Sequence, residues 1–195
     1  MKILIDNGHG IDKAGKCSPD GSFREYKYAR EIAERLVSEL RKLGFDAERI
    51  VTEEKDISLR ERCRRVNAVC DELGTKNVIL VSIHCNAAGN GSKWMNARGW
   101  SAHVSLNAST KSKAFARSLI KAAEEEGLKV RKYAPQMPYW EQNLAICRDT
   151  RCPTVLTENL FQDNKEDVAF LISETGKNTI VGLHVKGIVD YLKTV

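Results

Sequence analysis

Two kinds of hydrophobic pattern alternate along this 195-residue chain, and the alternation leaves few folds open to it. Met1-Lys2-Ile3-Leu4-Ile5-Asp6-Asn7-Gly8-His9-Gly10 and Val78-Ile79-Leu80-Val81-Ser82-Ile83-His84-Cys85-Asn86 each contain a short apolar run rich in β-branched residues and ended by Gly or Asn, the signature of a buried strand. Between them Ala29, Ile32, Ala33, Leu36, Val37 and Leu40 recur at helical spacing, and Gly44 stops the helix. Ser58 is an N-cap with Glu61 as capping-box partner. The helix it opens turns Leu59, Cys63, Val66, Cys70 and Leu73 inward and ends at Gly74. Further strands are predicted over Phe45–Val51, Gly99–Leu106, Leu144–Cys147 and Val155–Thr157, and a helix over Thr110–Gly127. Lys165–Val195 is predicted helical and divided at Gly176, with Ile180, Leu183, His184, Gly187, Ile188 and Tyr191 on its apolar face. Strands alternating with helices predict one α/β domain over residues 1–195, with a mostly parallel, twisted sheet flanked by helices. Val78–Ile83, apolar almost throughout, belongs in the middle of that sheet.

The two strand-like runs end in histidines, His9 and His84. In an open α/β sheet the carboxyl ends of the strands line the ligand crevice, so both imidazoles are expected at one edge. A catalytic zinc takes three protein ligands and keeps one position for water. Glu25 ends the Gly-rich loop that starts at His9 and opens the next helix, so the chain returns it to the same edge as a third ligand. Glu158 follows Thr154-Val155-Leu156-Thr157 and projects there too, as the non-ligand carboxylate that proton transfer requires.

Plainer readings apply to other residues. Asn7-Gly8-His9-Gly10 is also compatible with a simple turn, but it lacks the spacing of a dinucleotide-binding loop. His103 and His184 read as structural histidines. Glu31, Glu34 and Glu39 among Arg30, Arg35 and Arg41 read as a solvated ion-pair face. Arg62 and Asn67 read as braces for the sheet edge or its loops. The stretch from Tyr133 to Trp140, with Trp94 and Trp100, either lines a groove for sugar rings or stem peptide or packs as a rigid loop. Asn86, Tyr139 and Trp140 are the candidate substrate contacts, Asn86 alternatively fixing its own loop.

Composition excludes little. The net charge of +5 favours an anionic polymer, whether nucleic acid or bacterial cell wall, without choosing between them. No segment approaches the ~18 apolar residues of a membrane-spanning helix. Asp6 interrupts the first apolar run, which is too short for a signal peptide. The six cysteines form no Cys-x-x-Cys pair. Free buried thiols in a reducing compartment are expected, with a Cys147–Cys152 bridge as the open alternative.

Five blocks in order resemble the zinc-dependent N-acetylmuramoyl-L-alanine amidases of the amidase type 3 family. They are Asn7-Gly8-His9-Gly10, Glu25, the Leu59/Arg62/Asn67 helix, Ser82-Ile83-His84-Cys85-Asn86-Ala87, and Glu158/Phe161/Asn164. The family often has Pro or Ala where Asn7 stands. The resemblance implies one Zn2+ bound by His9, Glu25 and His84, with Glu158 as the catalytic carboxylate. It implies cleavage of the amide between N-acetylmuramic acid and L-alanine, in peptidoglycan or muropeptides. The chain shows no obvious inserted plug helix such as some relatives carry, and a single catalytic domain is expected, with no separate wall-binding domain, no nucleic-acid partner and no membrane insertion. The expected protein is a monomer made in the cytoplasm that acts on the cell wall, as a phage-type lysin or as a domain of a longer protein. A zinc peptidase or deacylase on another amide, and a non-catalytic basic module that binds cell wall or nucleic acid, are the competing readings.

Overall fold

The computed structural model describes residues 1–195. Six strands form one sheet: β1 (Lys2–Asn7), β2 (Asp46–Arg49), β3 (Val78–Asn86), β4 (Ser101–Ser105), β5 (Trp140–Gln142) and β6 (Thr154–Phe161). Their order is β2-β1-β3-β6-β4-β5. β2, β1, β3 and β6 run parallel, β4 is antiparallel to β6, and β5 is parallel to β4. The helices are α1 (Glu25–Lys42), α2 (Leu59–Leu73), α3 (Thr110–Glu125), α4 (Ala145–Arg148), α5 (Lys165–Ile172) and α6 (Glu174–Leu192).

Strand alternation builds a core on each face of the sheet. Ile3 and Ile5 join the larger cluster, which α1, α3 and α6 cover with Leu36, Phe115, Leu119 and Ile180. Leu4 turns the other way, to Val66 and Cys63 of α2 and Ile146 of α4. β1 and β3 read as continuous apolar runs because helices cover them on both faces. Ser58 caps α2 by accepting from the Glu61 N–H. The Glu61 carboxylate does not complete the reciprocal box; it pairs with Arg64 and Arg65.

Three expectations are corrected. Leu144–Cys147 is not a strand: Leu144 leads into the one-turn helix α4, and its carbonyl accepts from the N–H groups of Cys147 and Arg148. An apolar run that short fits either structure by pattern alone. The break in the C-terminal helical region falls at Ser173, not Gly176. Ser173 caps α6 through its hydroxyl, while Gly176 lies in the first turn, where a Cβ would sit 1.9 Å from the Phe170 carbonyl oxygen. Arg30 does not join an ion-pair face; its guanidinium turns inward, as described below. All six cysteines are free, so Cys147 and Cys152 do not pair with each other.

Candidate metal centre

The parallel strands β1, β3 and β6 deliver their last residues to one edge, and the candidate residues gather there. His9 stands two residues past the end of β1. His84 and Glu158 are register partners on β3 and β6, both inside their strands. Glu25 is the first residue of α1, held there by its own N–H donating to the Lys16 carbonyl. One ligand atom from each of His9, Glu25 and His84 lies within 4.8 Å of the other two. Glu25 Oε1 is 3.1 Å from His84 Nδ1 and 3.4 Å from His9 Nε2, and it accepts from the Cys85 N–H at 3.0 Å. The two imidazoles stand perpendicular, 5.0 Å apart. The second oxygen of Glu25 is buried without a hydrogen-bond partner.

Electrostatics hold this cluster in an unusual state. Burial opposes the charge on Glu25, but its bonds to His84 and His9 prevail and keep the carboxyl well below the ordinary range. Burial likewise disfavours charging His84, and the Glu25 carboxylate outweighs it, raising the His84 pKa. Two imidazoles around one buried carboxylate, with a carboxylate oxygen left unpartnered, suit a divalent cation of the kind that binds N and O donors. Glu158 is different. Burial pushes its carboxyl up to about 7, and its Oε2 is buried without a partner. It borders a cavity of about 420 Å³ that His9 and His84 also line. A larger groove of about 790 Å³, between α1 and α6, contains none of these residues.

The supporting residues come from both helix layers. Gly8 leaves room for the His84 ring: a Cβ there would lie 2.4 Å from the imidazole. His9 and Leu160 are the two non-glycine residues with positive φ, 59° and 64°. Leu160 falls where the β3–β6 register shifts, directly past Glu158. Such conformations persist where neighbours over-determine them. At His9 the neighbours are Arg30 of α1, donating to its carbonyl at 2.9 Å, and Arg62 of α2, at 3.4 Å. Arg30 also holds the carbonyl of Glu53. Arg62 pairs with Asp6 at 2.6 Å, and Asp6 accepts from the Ser82 hydroxyl at 2.5 Å, tying β1, β3 and α2 together beneath the site.

Sequence reasoning singled out neither Asp6 nor Arg30. Asp6 had a signal, a charge inside a buried strand run; Arg30 had none, because its partners are backbone carbonyls. Asn67 braces the loop after α4, bonding the Asp149 carbonyl and the Arg151 N–H.

The candidate substrate contacts lie off the cavity. The Asn86 carboxamide accepts from the Ala87 N–H, fixing its own loop. Tyr139 is 95% buried, and the Trp140 indole donates to the Arg131 carbonyl on the outermost strand. Trp100 is fully buried, bonded to Asn159, so it lines no groove. His103 and His184 are buried and are not part of the ligand cluster.

The fold is an α/β domain with a metal-type ligand cluster at the carboxyl ends of its parallel strands. A model of the amidase type 3 family, described as N-acetylmuramoyl-L-alanine amidase, matches residues 3–190, and the chain belongs to that family. It is 27% identical over 192 residues to an endolysin of Bacillus phage SPP1, covering 97% of this chain and 65% of that protein. The catalytic domain of CwlV, an N-acetylmuramoyl-L-alanine amidase from Bacillus (Paenibacillus) polymyxa var. colistinus, superposes with a TM-score of 0.82 at 25% identity, covering all of both chains. An N-acetylmuramoyl-L-alanine amidase from Clostridium difficile 630 gives a TM-score of 0.83 at 25% identity, over 99% of this chain and 97% of that one.

Proposed function

We propose that the chain acts as a single catalytic domain, a zinc-dependent N-acetylmuramoyl-L-alanine amidase on peptidoglycan or its muropeptide fragments. The observation that carries this reading is the convergence of His9, Glu25 and His84 beside the separate, unpartnered Glu158 carboxylate, in a chain of the amidase family. His9, Glu25 and His84 hold the metal. A zinc ion held there would supply Lewis-acid chemistry, polarising the scissile carbonyl and lowering the pKa of a water toward neutrality. Glu158 takes the proton from that water and gives it to the leaving amine of L-alanine. Its place on β6, register-paired with His84, keeps it beside the ligands without being one of them. Arg62 and Arg30 hold the His9 backbone so that its ring stays turned to Glu25.

The SPP1 protein is an endolysin of which this chain spans 65% of the length, and no helix here is long and apolar enough to cross a membrane. The endolysin relative supports synthesis in the cytoplasm followed by action on the wall.

The test uses purified cell walls. New L-alanine amino termini should appear with the zinc-loaded protein, stop with chelator and return when zinc is restored. Glu158→Gln should keep stoichiometric zinc and lose at least about a hundredfold in rate. Full activity in a metal-free preparation would sink the proposal.

A further inference from the structure

The cleft over the proposed metal ligands is lined by two chemically distinct sets of residues. One is apolar: Leu144, Ala145 and Ile146 at α4, Leu156 of β6, and Ile57 and Leu59 at the start of α2. The other carries Lys13 and Lys16, from the loop between β1 and α1. The cleft's structural carboxylates are already answered: Arg62 bonds both Asp6 at 2.6 Å and Asp56 at 3.1 Å. Neither Lys13 nor Lys16 has an ion-pair partner, although most of the lysines on the helical surface do.

The loop that carries them is braced. The Lys13 N–H donates to the Gly10 carbonyl, the Lys16 carbonyl accepts from Glu25, and Cys17 bridges to Arg24. Lys16 also lines the same cavity as Glu158. Two ammonium groups without ion-pair partners, on a held loop that lines the same cleft as the reacting centre and its apolar residues, are suited to read an anion.

We propose that Lys13 and Lys16 are specificity residues that select substrates bearing a carboxylate on the peptide immediately beyond the scissile amide, while the Leu144–Ile146 set takes the substrate's apolar groups. This rests on the amidase reading and deepens it: the acidic residue following L-alanine in the stem peptide would be the group recognised.

Two synthetic substrates decide it: an N-acetylmuramoyl-L-alanyl dipeptide ending in glutamate, and the same compound with both carboxylates amidated. The zinc-loaded protein should favour the acid in kcat/KM by tenfold or more, chiefly through KM, and the preference should shrink as salt rises. In Lys13→Gln and Lys16→Gln the acid-to-diamide ratio should fall about tenfold each, and Lys→Arg at the same positions should restore it. A ratio taken within one protein does not depend on how much of it is folded. An acid-to-diamide ratio near one in the parent protein, or one unchanged by both Gln substitutions, overturns the proposal.

Calorimetric binding of the two compounds to the zinc-loaded Glu158→Gln protein reads the same preference without turnover. Cleavage without preference removes the role of the lysines and leaves the amidase reading standing. Preferential binding of the acid without cleavage by the parent protein removes the amidase reading and leaves the lysines.

Discussion

Gly8 is where the smallest change has the clearest consequence. The His84 imidazole lies over its Cα, and any side chain there meets the ring at 2.4 Å, well inside van der Waals contact. Buried Ile83 and Cys85 flank His84 and the Asn159 amide holds its carbonyl, so the backbone stays and the ring has to give way. Gly8→Ala should therefore move His84 away from Glu25 while leaving both strands paired. Groups that orient a ligand typically contribute about 10–100-fold in metal affinity, and a loss of that size is expected. Competition against a chromogenic chelator measures it; zinc affinity equal to the parent's would show that the imidazole can shift at no cost. At this scale the sequence was informative where a residue acts through its position along a strand: His9, His84 and Glu158 are legible from the apolar runs they follow, although β3 and β6 continue past His84 and Glu158. It was silent on Arg30 and on the Asp6–Ser82 bond, which depend on which strands lie side by side and in what register.

Elements were legible in proportion to their length and burial. β1, β3 and α1 announce themselves by long unmixed patterns, whereas β5 has three residues on the sheet edge, none of them buried, and α4 has four residues, too few to show a period. The site-bearing strand β6 is longer than its apolar run suggests. Thr157, Asn159 and Gln162 continue the strand and its exit as buried polar groups, and pairing to β3 holds them. α6 is tied to β6 by a buried histidine. The Ile180 carbonyl can only accept, so His184 Nδ1 donates to it at 2.7 Å, and Nε2 accepts from the Thr157 hydroxyl at 3.0 Å. That network needs a neutral ring, and burial lowers the His184 pKa to about 4. The unfolded chain therefore takes up a proton near pH 6.5 that the folded one refuses until about pH 4. The stabilisation is complete above that window and falls away through it as pH drops, by up to roughly 3 kcal/mol. Denaturant unfolding of the parent and of His184→Gln between pH 7 and pH 4 should show the steeper decline in the parent; parallel curves would mean that His184 titrates alike in both states.

At the scale of the whole molecule, the three proposed ligands come from a loop after β1, the first residue of α1 and β3, on both the sheet and the helix layer that covers it. Ligands at the sheet edge make metal binding a property of the assembled domain. In the unfolded chain His9 and His84 are 75 positions apart, and that separation carries a closure entropy that the folded sheet has already met. An ion that binds only the folded state stabilises it by mass action, about 2.7 kcal/mol at a free concentration a hundred times Kd. For a domain of this size each kcal/mol moves the midpoint by about 2–4 °C, so zinc should raise Tm by roughly 5–10 °C over the chelated protein. Removing one ligand and removing the proton carrier should then part company. His84→Ala should lose most of the zinc-dependent shift, because two donors remain where three were. Glu158→Gln should keep all of it, since Glu158 borders the cavity without joining the cluster. Scanning calorimetry of the three proteins, with and without zinc, separates holding the metal from moving the proton. A shift in His84→Ala as large as the parent's would place the ion elsewhere on the molecule, and a shift lost in Glu158→Gln would make that carboxylate a ligand.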